Sequence, residues 1–184
     1  MKLTFYFIAA QIVDFKLENM RTCSQFTLVI MGVVTGEIEV ASVLPPAKMF
    51  KASVLDADQL FPKIMSQAIK SAELIEGDGG AGSIRKVNLV EDDSYMKQKV
   101  DALDKENFVH CYTIFEGDML ANKFEKISYE TKWVSSPDGG SIFKSTVKFY
   151  TLPGFDVPAE NLINKAKEKT AVMVKAVEAY LQAN

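Results

Sequence analysis

The feature that most limits how this chain can fold is a contrast along its length. Between residues 33 and 150 it reads as short strands. From residue 158 to about residue 183 it reads as one long amphipathic helix. Pro158 opens that last segment, where proline is tolerated in a first helical turn. Leu162, Ile163, Ala166, Thr170, Met173, Val174, Val177 and Leu181 then recur one, three and four positions apart, a continuous apolar stripe. Lys165, Lys167, Glu168, Lys169, Lys175 and Glu178 mostly fall on the opposite face. A helix of about 25 residues is about 37 Å long. No other predicted element approaches that length, so the sheet is expected to wrap the helix.

The strand signals are regular. Residues 33–42 contain the alternation Glu37, Ile38, Glu39, Val40, the pattern of a half-buried strand. Pro45 and Pro46 start a helix with Met49, Phe50, Val54 and Leu55 as its apolar stripe, and Asp56 is placed to cap a second short helix containing Pro62. Residues 69–76, 83–90, 96–103, 108–115, 124–134 and 141–150 follow as strands at short spacing. Glu91-Asp92-Asp93 forms a charged turn, and Pro137-Asp138-Gly139-Gly140 a hairpin turn in which glycine supplies positive φ. Seven strands joined mostly by short turns predict one curved antiparallel sheet, an α+β architecture. A sheet around one long helix, held off by two short ones, leaves an internal cavity.

Composition narrows the function. The chain has 184 residues, 48% hydrophobic and 24% charged, with net charge −3. This is one globular domain with too little positive charge for stable nucleic-acid or membrane-surface binding. It contains two cysteines, Cys23 and Cys111, and one histidine, His110. That is no disulfide framework, fits a reducing compartment, and cannot furnish the usual zinc site. No metal or other cofactor is expected. Any histidine-based triad would have to use His110.

Residues 1–30 read as an extension. Residues 3–10 form a short apolar run behind Lys2, loosely like a secretory signal core, but Asp14, Lys16, Glu18 and Arg21 follow. The apolar patches fall short of the roughly 18–20 residues that span a bilayer. Met31-Gly32-Val33-Val34 looks like an independent N-terminus. The expected division is therefore an extension, 1–30, and a folded domain, 31–184.

Three motifs carry a family resemblance. They are Glu76-Gly77-Asp78-Gly79-Gly80-Ala81-Gly82-Ser83-Ile84; Phe115-Glu116-Gly117-Asp118 with Glu125-Lys126-Ile127-Ser128-Tyr129-Glu130; and Pro137-Asp138-Gly139-Gly140-Ser141 with Lys144 and Phe149. Val54-Leu55-Asp56-Ala57-Asp58 and Ala176-Val177-Glu178-Ala179-Tyr180-Leu181 add to them. Over residues 31–184 the chain resembles the plant pathogenesis-related class-ten proteins of the birch-pollen-allergen (Bet v I) type, within the helix-grip superfamily. The resemblance implies a seven-stranded antiparallel sheet gripping a C-terminal helix around a pocket. It implies binding of amphipathic small molecules such as cytokinins, brassinosteroids, abscisic acid, flavonoids or fatty acids, in a monomeric cytoplasmic or nuclear protein linked to defence and stress.

Strand parity puts Phe108, His110, Tyr112 and Ile114 on one face. The resemblance places His110 and Tyr112 on the pocket wall, with Ile69, Val87, Leu89, Gln98, Tyr129 and Phe143 facing inward from other strands and Leu162, Ala166, Thr170 and Met173 closing it from the helix. The plainer alternative is that these side chains fill a core. Gly77, Gly79, Gly80 and Gly82 suggest anion binding or a partner contact, but no Lys-Ser/Thr pair follows and the next element is a strand, so a tight turn explains them equally. Ser83-Ile84-Arg85-Lys86 adds only adjacent basic charge.

Three further activities follow from the resemblance. Norcoclaurine synthase chemistry needs an inward lysine, two carboxylates and a tyrosine; His110, Tyr129, Met96 and Gln98 stand at or near those positions, so that set is not kept. A weak ribonuclease would use Glu125, Glu178 and Tyr180 with the glycine-rich loop, although Glu125 and Glu178 read more simply as solvated charges. A hormone-linked regulator would present the loop to a protein partner, but the Ser-Gly-Leu-Pro-Ala gate and His-Arg-Leu latch of abscisic-acid receptors are missing.

Overall fold

In a computed structural model of the chain, residues 32–155 and 158–184 are described. The expected extension, 1–30, with its Cys23, lies outside the described residues. Strand β1 (Val33–Ser42) leads into helix α1 (Pro46–Phe50), which runs on as a π-helical turn (Lys51–Leu55), and then into α2 (Ala57–Ile64). Six strands follow: β2 (Ile69–Glu76), β3 (Ile84–Leu89), β4 (Tyr95–Asp104), β5 (Val109–Gly117), β6 (Phe124–Ser135) and β7 (Ser141–Thr151). Helix α3 (Ala159–Ala183) ends the chain.

The strands form one antiparallel sheet in the order β1-β7-β6-β5-β4-β3-β2. Consecutive hairpins explain β2 to β7. The exception is β1, which returns to pair with β7, so α1 and α2 bridge the two edges of the sheet. Register shifts interrupt the β2–β3, β4–β5 and β6–β7 ladders. Bulges and other irregularities of this kind bend a strand and increase its twist, and so favour a curved sheet.

Most strand limits fall within a residue or two of expectation. Two local expectations fail. Asp56 does precede α2, but its carboxylate makes no cap and instead pairs with Lys51 Nζ at 2.9 Å. Phe108 precedes β5 with φ +56, so strand parity does not govern it; its ring still turns inward onto Phe50, with centroids 5.5 Å apart.

The core is divided. Met49, Phe50, Leu60, Trp133, Phe143, Val174 and Val177 join α1, α2 and the C-terminal half of α3 to the sheet. Ile38, Ile114, Phe124, Ile127, Val147 and Phe149 form a second cluster, against which Leu162 and Ala166 of α3 pack. Helix α3 approaches the sheet mainly through β1. Gly36 makes that approach possible: a Cβ there would lie 2.6 Å from Ile163 Cγ1.

Glu178 departs from its expected place on the solvated face. It is buried, accepting the Val43 N–H at 2.9 Å and a Lys175 Nζ hydrogen bond at 3.0 Å. Burial opposes its charge, but hydrogen bonds from Ser42, Lys175 and the Val43 amide outweigh that and hold the carboxyl below its usual value. It ties the end of β1 to α3.

Gly36→Ala is expected to destabilise the fold by about 1–3 kcal/mol through overpacking. Gly36→Ala combined with Ile163→Ala should lose less than the sum of the two single variants. Urea denaturation of the four proteins in that cycle measures the coupling, and strict additivity would contradict the close approach.

Candidate functional site

Between the two core clusters, the inner face of the sheet is not packed solid. Ile69, Leu89, Met96, Gln98, Tyr112 and Tyr129 point inward, and all are half-buried. Leu162, Ala166, Thr170 and Met173 on α3 are half-buried as well. A filled core would cover such side chains completely; their remaining surface marks an interior recess between sheet and helix. Val87 and Phe143, expected on the same wall, are buried. Phe143 packs against Trp133 with ring centroids 5.1 Å apart, and so belongs to the core.

The polar side of the recess comes from β5 and β6. Register pairs Tyr112 with Tyr129 and His110 with Thr131. The three rings stack across the two strands: His110 on Tyr112 at 5.0 Å, and Tyr112 on Tyr129 at 4.9 Å with planes only 13° apart. Thr131 Oγ1 donates to the His110 carbonyl at 2.6 Å, so the threonine is satisfied within the wall. His110 Nε2 is buried with no hydrogen-bond partner among the described residues. Burial, and secondarily the Arg85 charge, lower the His110 pKa to about 4, so the imidazole is neutral at physiological pH. Burial pushes the Tyr129 hydroxyl up to about 12, and burial with the neighbouring Tyr129 pushes Tyr112 further. All three groups are therefore neutral hydrogen-bonding sites on an apolar wall.

Two cations were missed by sequence reasoning. Arg85 was read only as charge beside the glycine-rich loop, but it is inward on β3 and 7% exposed. Its Nε lies 3.3 Å from Asp58 Oδ2 on α2. The signal was available: Val87 and Leu89 were expected to face inward, and Arg85 shares their parity. Lys169 was assigned to the outer face of α3 but is half-buried. Its pKa is lowered by burial and then by Lys165, with Glu91 acting in the opposite direction.

The glycine-rich loop is a compact turn. Gly77, Gly79 and Gly82 have φ near +90°, Ser83 Oγ accepts the Gly79 N–H at 2.9 Å, and Asp78 Oδ1 accepts that of Gly80 at 2.9 Å. Two amides that could have met an anion are thus used internally. Glu125 is exposed at the start of β6, Glu178 is buried beside the end of β1, and Tyr180 is 36% exposed on α3. Glu125 adjoins the second core cluster and Glu178 the first, so the ribonuclease candidates are not brought together. Cys111 faces away from the recess, half-buried, its thiol pushed up by burial. A separate open groove of about 430 Å³ lies between Ser42, Val43, Pro137, Asp138 and Lys175, and none of the expected wall residues lines it.

The sequence profile of the Pathogenesis-related protein Bet v 1 family matches residues 31–184. The chain belongs to that family. It is similar to the major strawberry allergen Fra a 1-2 of Fragaria ananassa, 52% identical over 156 residues, which cover 84% of this chain and 97% of the allergen. The major allergen Pru av 1 of Prunus avium is 49% identical over 154 residues, covering 83% and 96%. Among solved structures, Ara h 8.0201 superposes with a TM-score of 0.75 at 41% identity, covering 83% of this chain and all of the other. A norcoclaurine synthase point mutant from Thalictrum flavum, solved with a transition-state analogue, has a TM-score of 0.69 at 20% identity, covering 84% and 98%, which shows a shared fold. The seven-stranded antiparallel sheet with its C-terminal helix is the helix-grip fold expected of this family.

The buried His110 links the site to stability. The unfolded chain protonates its histidine near 6.5, whereas the folded protein resists until about 4. Folding stability should therefore fall as pH drops from about 6.5 toward about 4, by up to about 3 kcal/mol. His110→Gln should flatten that part of the profile. Denaturant titrations at a series of pH values test this, and an unchanged slope in the variant would refute the assignment.

Proposed function

We propose that this protein is a carrier or sensor for amphipathic small molecules, held one at a time between the sheet and α3. The reading rests above all on the stacked His110–Tyr112–Tyr129 wall. It offers neutral hydrogen-bonding groups in a half-buried recess that Leu89, Met96, Leu162 and Ala166 make apolar. Small-molecule sites are usually built in this way, with apolar area for affinity and few polar groups for orientation. Binding would draw on desolvation of the ligand's apolar body, while Gln98, His110, Tyr112 and Tyr129 orient its polar end. The hormones, flavonoids and fatty acids considered above fit that description. The family name supports a defence or stress setting, and the low cysteine count supports a reducing cell interior as the place of action.

Native mass spectrometry of protein purified from its own tissue tests the reading directly. The expected result is a retained small molecule at 1:1. Tyr112→Ala should weaken binding of that molecule about tenfold or more, and Tyr112→Phe by less, since it keeps the ring stack. Because His110, Tyr112 and Tyr129 do not change charge there, affinity for a neutral ligand should be flat between pH 5 and pH 8. An empty protein that takes up no amphipathic compound would refute the carrier reading.

A further inference from the structure

We propose that the free edge of β2 is a docking edge for a partner protein, which adds to the sheet an extended segment of alternating basic and apolar residues. The sheet ends on β1 at one side and on β2 at the other. The β1 side is taken up by α3, which packs onto Gly36 through Ile163 and holds Val43 through Glu178. Strand β2 is hydrogen-bonded to β3 alone within the described sheet. Its last four residues, Glu73, Leu74, Ile75 and Glu76, are all exposed. Helix α2 does not cover them: its Asp58 lies instead against the inward Arg85 of β3. Leu74 stands opposite Arg85 in the register and is still 41% exposed, and Ile75 is 46% exposed.

An open edge offers backbone N–H and C=O groups to a further strand, and proteins usually blunt such edges with bulges and charge. Register shifts between Ile69 and Ser71 and between Leu74 and Glu76 confine regular pairing to Ser71–Leu74. The one lysine of the strand, Lys70, lies outside that stretch and is bound to Asp93 at 2.8 Å. The stretch that remains is short and selective. Glu73 shares the outer face with Ser71, whose hydroxyl accepts a hydrogen bond from Asn88 at 2.8 Å, and Leu74 shares the inner face with Ala72. Neither Glu73 nor Glu76 forms an ion pair among the described residues. Lys86, opposite Glu73, lies over the Tyr95 ring at 5.2 Å. A strand laid along β2 sets its side chains alternately beside Glu73 and beside Leu74. Lysine or arginine fits the first place and an aliphatic residue the second. A second copy of this chain does not fit, because a two-fold axis here gathers the acids of both copies on one short ladder.

The test follows backbone amide NMR shifts of the full chain at pH 7 during titration with a blocked peptide of four Lys-Val repeats. Shifts are expected to concentrate in residues 69–76, with binding about tenfold or more tighter than for four Glu-Val repeats. Glu73→Gln should weaken the Lys-Val peptide about threefold, the scale of one cross-strand charge pair. The same peptide N-methylated at every valine should not bind, since its ladder donors are gone. Equal binding of the N-methylated peptide, equal binding of the Glu-Val peptide, shifts centred on the Glu91-Asp92-Asp93 turn or on α3, or no shifts at all would each overturn the proposal. So would a dimer of the free protein that protects the β2 amides from hydrogen exchange, which would make a second copy the occupant.

Discussion

The architecture depends on how closely α3 can approach β1. Gly36 lets Ile163 settle against the strand, Val174 and Val177 bury below it, and Glu178 fastens the far end of β1 through the Val43 amide. The helix is thereby held at one edge of the sheet. Bulges bend the remaining strands, and the two apolar clusters fill the ends. The recess is what remains between a helix fixed to an edge strand and a sheet that curves away from it. Its existence follows from backbone geometry more than from any lining side chain, which leaves those side chains free to differ in chemistry.

Much of this was legible in the residues. Period-two alternation and turn glycines located the strands, and the one-three-four spacing located α3. Parity placed His110, Tyr112 and Ile114 on one face, and the family resemblance turned that face inward. What parity could not supply was depth. It treats Phe143 and Tyr129 alike, yet one packs against Trp133 while the other keeps surface toward the recess. That difference arises from where α1, α2 and α3 lie, a long-range property that no local pattern contains.

The misreadings share a cause. Lys169 and Glu178 were put on the solvated face of the helix, and Arg85 was read only as charge beside the glycine-rich loop, because charged residues are seldom buried. Arg85 and Glu178 are buried and Lys169 is half-buried, and each has a specific reason. Glu178 is satisfied by three donors. Arg85 has a carboxylate nearby but poor geometry. Lys169 has only Glu91 opposing the combined effect of burial and Lys165. The general preference for exposed charge is therefore a poor guide on an inward-facing wall, where pairing can be left incomplete. Strand alternation carried the correct answer for Arg85, and the average behaviour of arginine obscured it.

The position of β1 has a consequence for how the chain reaches this state. The first strand pairs with the last, and the Val43–Glu178 hydrogen bond joins positions 135 residues apart. On a growing chain, β2 to β7 can zip hairpin by hairpin, but β1 has no partner until β7 has left the ribosome. Such non-local pairing requires closure of a long loop before any contact rewards it, and proteins dominated by it fold slowly. During that interval the edge of β7 and the apolar stripe of α3 are both uncovered. Completion of the sheet therefore waits until the two ends of the domain meet, and the space between sheet and helix is enclosed no earlier than that.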